Sequence, residues 1–156
     1  EIVPCRLAQP WWLVIVNPGF QVSTAWAYQQ LAAERKESKT GLTNSPERTR
    51  MSSLNSVPDI RRTGGRKGRR IVVKEVLGRL DNSLESVTGA HYPVILDIKA
   101  QLLAAGAQGA LMSGSGPTVF GLFSNRSIAK AAADRFKSHP GWRIWIVKTL
   151  QRLPKR

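Results

Sequence analysis

Two short apolar runs, Ala107 to Met112 and Thr118 to Phe123, are separated only by Ser113-Gly114-Ser115-Gly116-Pro117. Five residues with two alternate glycines and a proline are too few for a helix, and they carry the backbone freedom of a tight reversal. The runs are therefore predicted to be adjacent antiparallel strands linked by that loop. The remaining elements have to be arranged around this pair.

Upstream, Trp11 to Val16 is a continuous apolar run ended by Asn17-Pro18-Gly19, which reads as a buried strand and its turn. Ser23-Thr24 supplies an N-cap for a helix over Ala25 to Lys36, with Ala27, Leu31 and Ala32 near one face. Ser45-Pro46-Glu47 reads as a further short helix start. From Ser52 to Arg70 the pattern dissolves, and Arg61 to Arg70 contains no apolar residue. That stretch is expected to be a solvated, flexible basic loop.

Periodicity returns with Val72, Val73, Val76, Leu77 and Leu80, predicting an amphipathic helix from Ile71. Asp81-Asn82-Ser83 caps a short helix through Leu84 and Val87. Pro93 opens another over residues 93–105, with Ile95, Ile98, Leu102 and Leu103 on one stripe and Gly106 as its stop. Beyond Phe123, Ser124 is expected to cap a helix over residues 125–138 carrying Ile128, Ala131, Ala132 and Phe136, and Trp142 to Val147 makes a last strand.

With the middle set aside, the order is strand, helix, strand, strand, helix, strand. This predicts an α+β fold, a ferredoxin-like antiparallel sheet with helices on one face and an inserted helical and loop segment. Residues 1–150 form the expected domain, with residues 51–70 as a basic flexible loop within it and residues 151–156 as a basic tail. Such a sheet hosts many functions, so the chemistry has to come from sites.

Charge narrows the partners. The chain has 24 Lys+Arg against 10 Asp+Glu, a formal net charge of +14 over 156 residues. Phosphate-bearing molecules are attracted to such a surface. Cys5 is the only cysteine, so no internal disulfide or cysteine-based zinc site can form, as expected of a reducing compartment. The longest apolar run is too short to cross a membrane. A start at Glu1 without Met reads as a piece of something larger.

The loop Ser113 to Thr118 has the composition of an anion cradle. Its glycines allow successive amides to turn inward, with the hydroxyls of Ser113, Ser115 and Thr118 nearby. Spacing alone favours a plain hairpin whose glycines merely allow the turn. A Walker A loop is excluded, since no Gly-Lys-Ser/Thr follows. A dinucleotide fingerprint is excluded because a strand, not a helix, comes next.

The string Met112 to Phe123 resembles the third motif of the GHMP kinases, in the version of the diphosphocytidyl-methylerythritol kinases. Trp11 to Thr24, Leu42 to Pro46, and Leu84-Glu85 followed by Tyr92-Pro93 resemble further segments in the family's order. The resemblance implies ATP-dependent phosphate transfer to the 2-hydroxyl of 4-diphosphocytidyl-2-C-methyl-erythritol, a nucleotide-linked small molecule, in a bacterial-type cytoplasm. It implies a glycine loop of Ser113, Gly114, Ser115 and Gly116 on the substrate and phosphate side, with Thr24 facing the same cleft. It also implies that the ATP-binding half, with its Lys and Asp for the acceptor hydroxyl and its share of ATP and Mg2+, lies outside this chain. No catalytic residue and no metal ligand are expected here, and the amino-terminal half is the expected partner.

Other residues invite simpler readings. Asp81 and Glu85, four apart, read as capping and surface charge. His91 and His139 read as surface or helix-end residues, and the five tryptophans as core and edge packing. Two competing functions remain: a basic ferredoxin-like RNA-binding module, and a non-catalytic interaction domain. Against the first, no strand shows the alternation of aromatic, basic and glycine residues that RNA-binding sheets use.

Overall fold

A computed structural model describes residues 6, 7, 9–40, 70, 71 and 73–150. Expectations placed on residues 41–69, including the helix start at Ser45 and nearly all of the basic loop, lie outside the described residues, as does the 151–156 tail.

Four strands make the main sheet: β2 (Trp12–Asn17), β4 (Gly109–Met112), β5 (Val119–Phe123) and β6 (Arg143–Lys148). Their spatial order is β4-β5-β2-β6, antiparallel throughout. This is the order of a ferredoxin-like sheet. A small separate ladder pairs β1 (Arg6–Leu7) with β3 (Arg70–Ile71) in parallel.

Strand alternation decides what is buried. Val14, Val16, Ala110, Met112, Val119 and Phe123 share one face of the sheet and lie in the core. Helix α4 (Pro93–Ala104) contributes Ile95, Ile98 and Leu102, and helix α5 (Arg126–Asp134) contributes Ala129, Ala132 and Ala133, with Phe136 just beyond it. The opposite face carries Leu13, Ile15, Leu111 and Phe120, half-buried, and the exposed Trp145 and Val147.

Several local expectations are corrected. Leu103 is 44% exposed, because one residue past the buried Leu102 the helix has turned by about 100°. The helix expected from Ile71 is instead a strand residue at Ile71, then a five-residue α2 (Val73–Leu77), then a turn in which Leu80 N–H donates to Leu77 O. Leu77 and Leu80 close over Gly109, where any side chain would collide with them. At α5 the cap is Asn125, whose Oδ1 accepts from Ile128 N at 3.0 Å, and not Ser124. That helix ends at Asp134, four residues early, and continues as turns. Hydrogen bonds from Lys137 and Lys130 hold the exposed Asp134 carboxyl below its ordinary pKa.

Candidate functional site: a braced glycine loop

The loop between β4 and β5 is built from its glycines. Gly114 has φ +61° and Gly116 φ +91°, both in the left-handed region that side chains resist. Ser113 N–H donates to Thr118 O at 2.8 Å, and Gly116 N–H donates back to Ser113 O at 3.1 Å. These two bonds close the reversal. They also narrow the expected cradle of successive amides, since the Ser113 and Gly116 N–H groups are spent inside the loop.

What is left is smaller and sharper. The N–H groups of Gly114 and Ser115, consecutive in the chain, have no hydrogen-bond acceptor among the described residues. Space beside Gly114 is open, with nothing within 4 Å of where a Cβ would stand. Gly116 is the reverse, because a Cβ there would meet Met112 Sδ at 2.8 Å.

Three elements hold this loop from outside. Helix α1 (Thr24–Thr40) begins at Thr24, whose Oγ1 lies 2.9 Å from Ser115 Oγ. The end of β2 contributes Asn17, whose Nδ2 donates to Thr118 Oγ1 at 2.8 Å while its Oδ1 accepts from Gly19 N. The start of α3 (Leu84–His91) contributes two more side chains. Asn82 Nδ2 donates to both Met112 O, at 2.9 Å, and Gly114 O, at 2.8 Å. Its Oδ1 accepts from Leu84 N at 3.0 Å, so the carboxamide cannot be turned over without losing all three bonds. Glu85 Oε2 accepts from Met112 N at 2.8 Å, and Oε1 pairs with Lys99.

The sequence-predicted residues Ser113, Gly114, Ser115 and Gly116 thus form one tight loop, and the structure brings Thr24 to it. Asn17, Asn82, Glu85 and Lys99 were missed. Glu85 was read as surface charge, yet it is half-buried and tied to β4. The nearest signal was the Asp81-Asn82-Ser83 cap, which does fix α3, through the Asn82 carboxamide. His91 and His139 pack against aromatic rings, His91 on Trp26 and Tyr92 and His139 on Trp142. Among the described residues no group of three or more His, Cys, Asp or Glu could hold a metal ion. No described helix is long and apolar enough to cross a membrane.

A groove of about 660 Å³ lies between α1 and the segment that leads into α3, lined by Tyr28, Leu31, Arg35, Lys36, Asp81 and Asn82 among others. Asn82 therefore stands between the groove and the loop, with one side of its carboxamide committed to each of two backbone segments.

Comparison with known proteins places this arrangement. The family model described as GHMP kinases C terminal matches residues 67–140. A 4-diphosphocytidyl-2-C-methyl-D-erythritol kinase of Syntrophotalea carbinolica is 42% identical over 139 residues, 89% of this chain and 41% of that protein. One of Geobacter metallireducens is 43% identical over 141 residues, 90% of this chain and 42% of that protein. The chain thus spans about two-fifths of the length of these curated relatives. Among solved structures, a 4-(cytidine 5'-diphospho)-2C-methyl-D-erythritol kinase superposes with TM-score 0.55 at 23% identity, covering 92% of this chain and 44% of that one. The L. major mevalonate kinase in complex with R-mevalonate superposes with TM-score 0.54 at 15% identity, covering 95% and 45%. At those identities the structural likeness speaks for the fold. Together with the sheet order and the glycine loop, these matches show that residues 67–140 correspond to the C-terminal domain of the GHMP kinases.

Proposed function

We propose that this chain is the C-terminal part of a kinase that moves the terminal phosphate of ATP to the 2-hydroxyl of 4-diphosphocytidyl-2-C-methyl-D-erythritol. The chain's share of that reaction is positional. Phosphoryl transfer rests on aligning two phosphate-bearing molecules and neutralising charge as it shifts. The observation that carries the reading is the pair of unpaired, consecutive N–H groups at Gly114 and Ser115, on a loop that is braced by three elements and leaves the Cβ side of Gly114 open. Such amides suit a phosphate oxygen. The named activity of the relatives supplies the substrate.

The described residues hold no cluster of three or more His, Cys, Asp or Glu that could make a metal site of their own. The proposal assigns Mg2+, the ATP phosphate loop, and the groups acting on the acceptor hydroxyl to an amino-terminal half, the partner this chain requires. The RNA-binding and interaction-domain alternatives leave the glycine loop and its bracing without a use.

The test is an assay of the purified chain with ATP, magnesium and the diphosphocytidyl substrate, alone and mixed with the amino-terminal half of the Syntrophotalea carbinolica relative. No turnover alone and turnover on mixing is the expected pattern, with Gly116→Val abolishing the gain. Turnover by the chain alone overturns the division of labour, and a mixture that stays inactive with a folded partner counts against the proposal.

A further inference from the structure

We propose that Asn82 is a positioning residue, whose carboxamide holds the Gly114–Ser115 peptide so that the Ser115 amide joins the Gly114 amide in facing a phosphate group. This rests on the reading of the loop as phosphate-facing, and deepens it.

Among the described residues the only cis bond is Gly116–Pro117, so the Gly114–Ser115 peptide is trans. In a trans peptide the C=O and the N–H point in opposite directions. Asn82 Nδ2 takes the Gly114 O, at 2.8 Å, which directs the Ser115 N–H away from Asn82. The same nitrogen takes Met112 O at 2.9 Å, so both ends of the Met112–Gly114 stretch are tied to one rigid group.

That bracing has work to do because of Gly114. A peptide plane turns over by opposed rotation about the two bonds flanking it, here in Gly114 and Ser115. Glycine offers little steric resistance to such rotation, and a Cβ at Gly114 would have met nothing. The loop's own bonds, Ser113 N–H to Thr118 O and Gly116 N–H to Ser113 O, do not involve this peptide. Ser115 is otherwise held only at its side chain, by Thr24. Without Asn82 the plane is free to flip and turn a carbonyl, not an amide, toward an incoming anion.

Asn82 also caps α3 through Oδ1 and Leu84 N, and the two roles can be separated. Serine keeps a neutral cap acceptor but cannot donate to two carbonyls. The experiment is a nitrogen–proton correlation spectrum of this 156-residue chain, with inorganic pyrophosphate as the probe. In the wild type, the Gly114 and Ser115 amides should be sharp and should shift saturably. In Asn82→Ser, these two resonances should broaden by exchange and pyrophosphate should bind about tenfold more weakly. The resonances of α3 should stay in place, which a loss of the cap alone would not allow.

Wild-type amides that ignore pyrophosphate overturn the phosphate reading, and this proposal with it. Amides that shift in the wild type, but keep their line width and affinity in Asn82→Ser, overturn this proposal alone. Should Asn82→Ser fail to fold, Asn82→Asp retains the volume and the Leu84 cap. Read without pyrophosphate, it should show the same broadening at Gly114 and Ser115, and wild-type line widths there overturn the proposal.

Discussion

Gly114 and Gly116 stand two residues apart and have the same sign of φ, yet their surroundings differ. At Gly116 a methyl group adds a collision with Met112 Sδ to the backbone strain. At Gly114 it adds strain alone. Gly116→Ala should therefore cost about 3 kcal/mol of folding stability and Gly114→Ala about 1 kcal/mol, measured by urea unfolding. Beneath the loop, Thr88 is fully buried and its Oγ1 has no hydrogen-bond partner. Thr88→Val keeps the shape and removes the stranded hydroxyl, so the unfolding free energy should rise by about 1 kcal/mol. At this scale the sequence showed the loop but not its bracing. Two alternate glycines between apolar runs are a local signal. The bond from Asn82 to Gly114 O joins residues far apart in the chain, and nothing in either neighbourhood announces the other.

The elements separate by how strongly their pattern is tied to burial. The four main strands stood out because each is an apolar or alternating run closed by glycine, proline or a cap. Their observed bounds shift by one or two residues. Helix α4 was equally clear, since Pro93 fixes its start and Ile95, Ile98 and Leu102 fall on its buried stripe. The region after Arg70 was not, because valine-rich residues suit a strand or a helix alike and tertiary contact chose both. The start of α5 shows the limit of reading caps: Ser124 and Asn125 are both good cap residues, and only geometry selects one. Asn125→Ala should destabilise the chain by about 1 kcal/mol in thermal unfolding, while Ser124→Ala should stay within about 0.5 kcal/mol.

Taken whole, the molecule is dominated by its net charge of +14. Any binding to nucleic acid should be independent of sequence and weaken by roughly a thousandfold between about 50 and 200 mM salt, as counterion release requires. Filter binding with unrelated oligonucleotides checks this, and salt-resistant, sequence-selective binding would favour the RNA-module alternative. The sheet has a further consequence. Strand β2 lies between β5 and β6, and its register runs from Trp12 opposite Phe123 and Lys148 to Asn17 opposite Arg143. Trp11 and Thr149 bond just beyond that register. Of the four main strands, the one that leaves the ribosome first thus waits for partners near the far end of the chain, and closing so long a span costs entropy before any contact repays it. Its apolar residues must stay uncommitted, or be shielded, until β5 and β6 have been made. Vectorial synthesis gives this sheet no head start, and its nucleation belongs instead to the β4–β5 hairpin, the one pair whose strands emerge together.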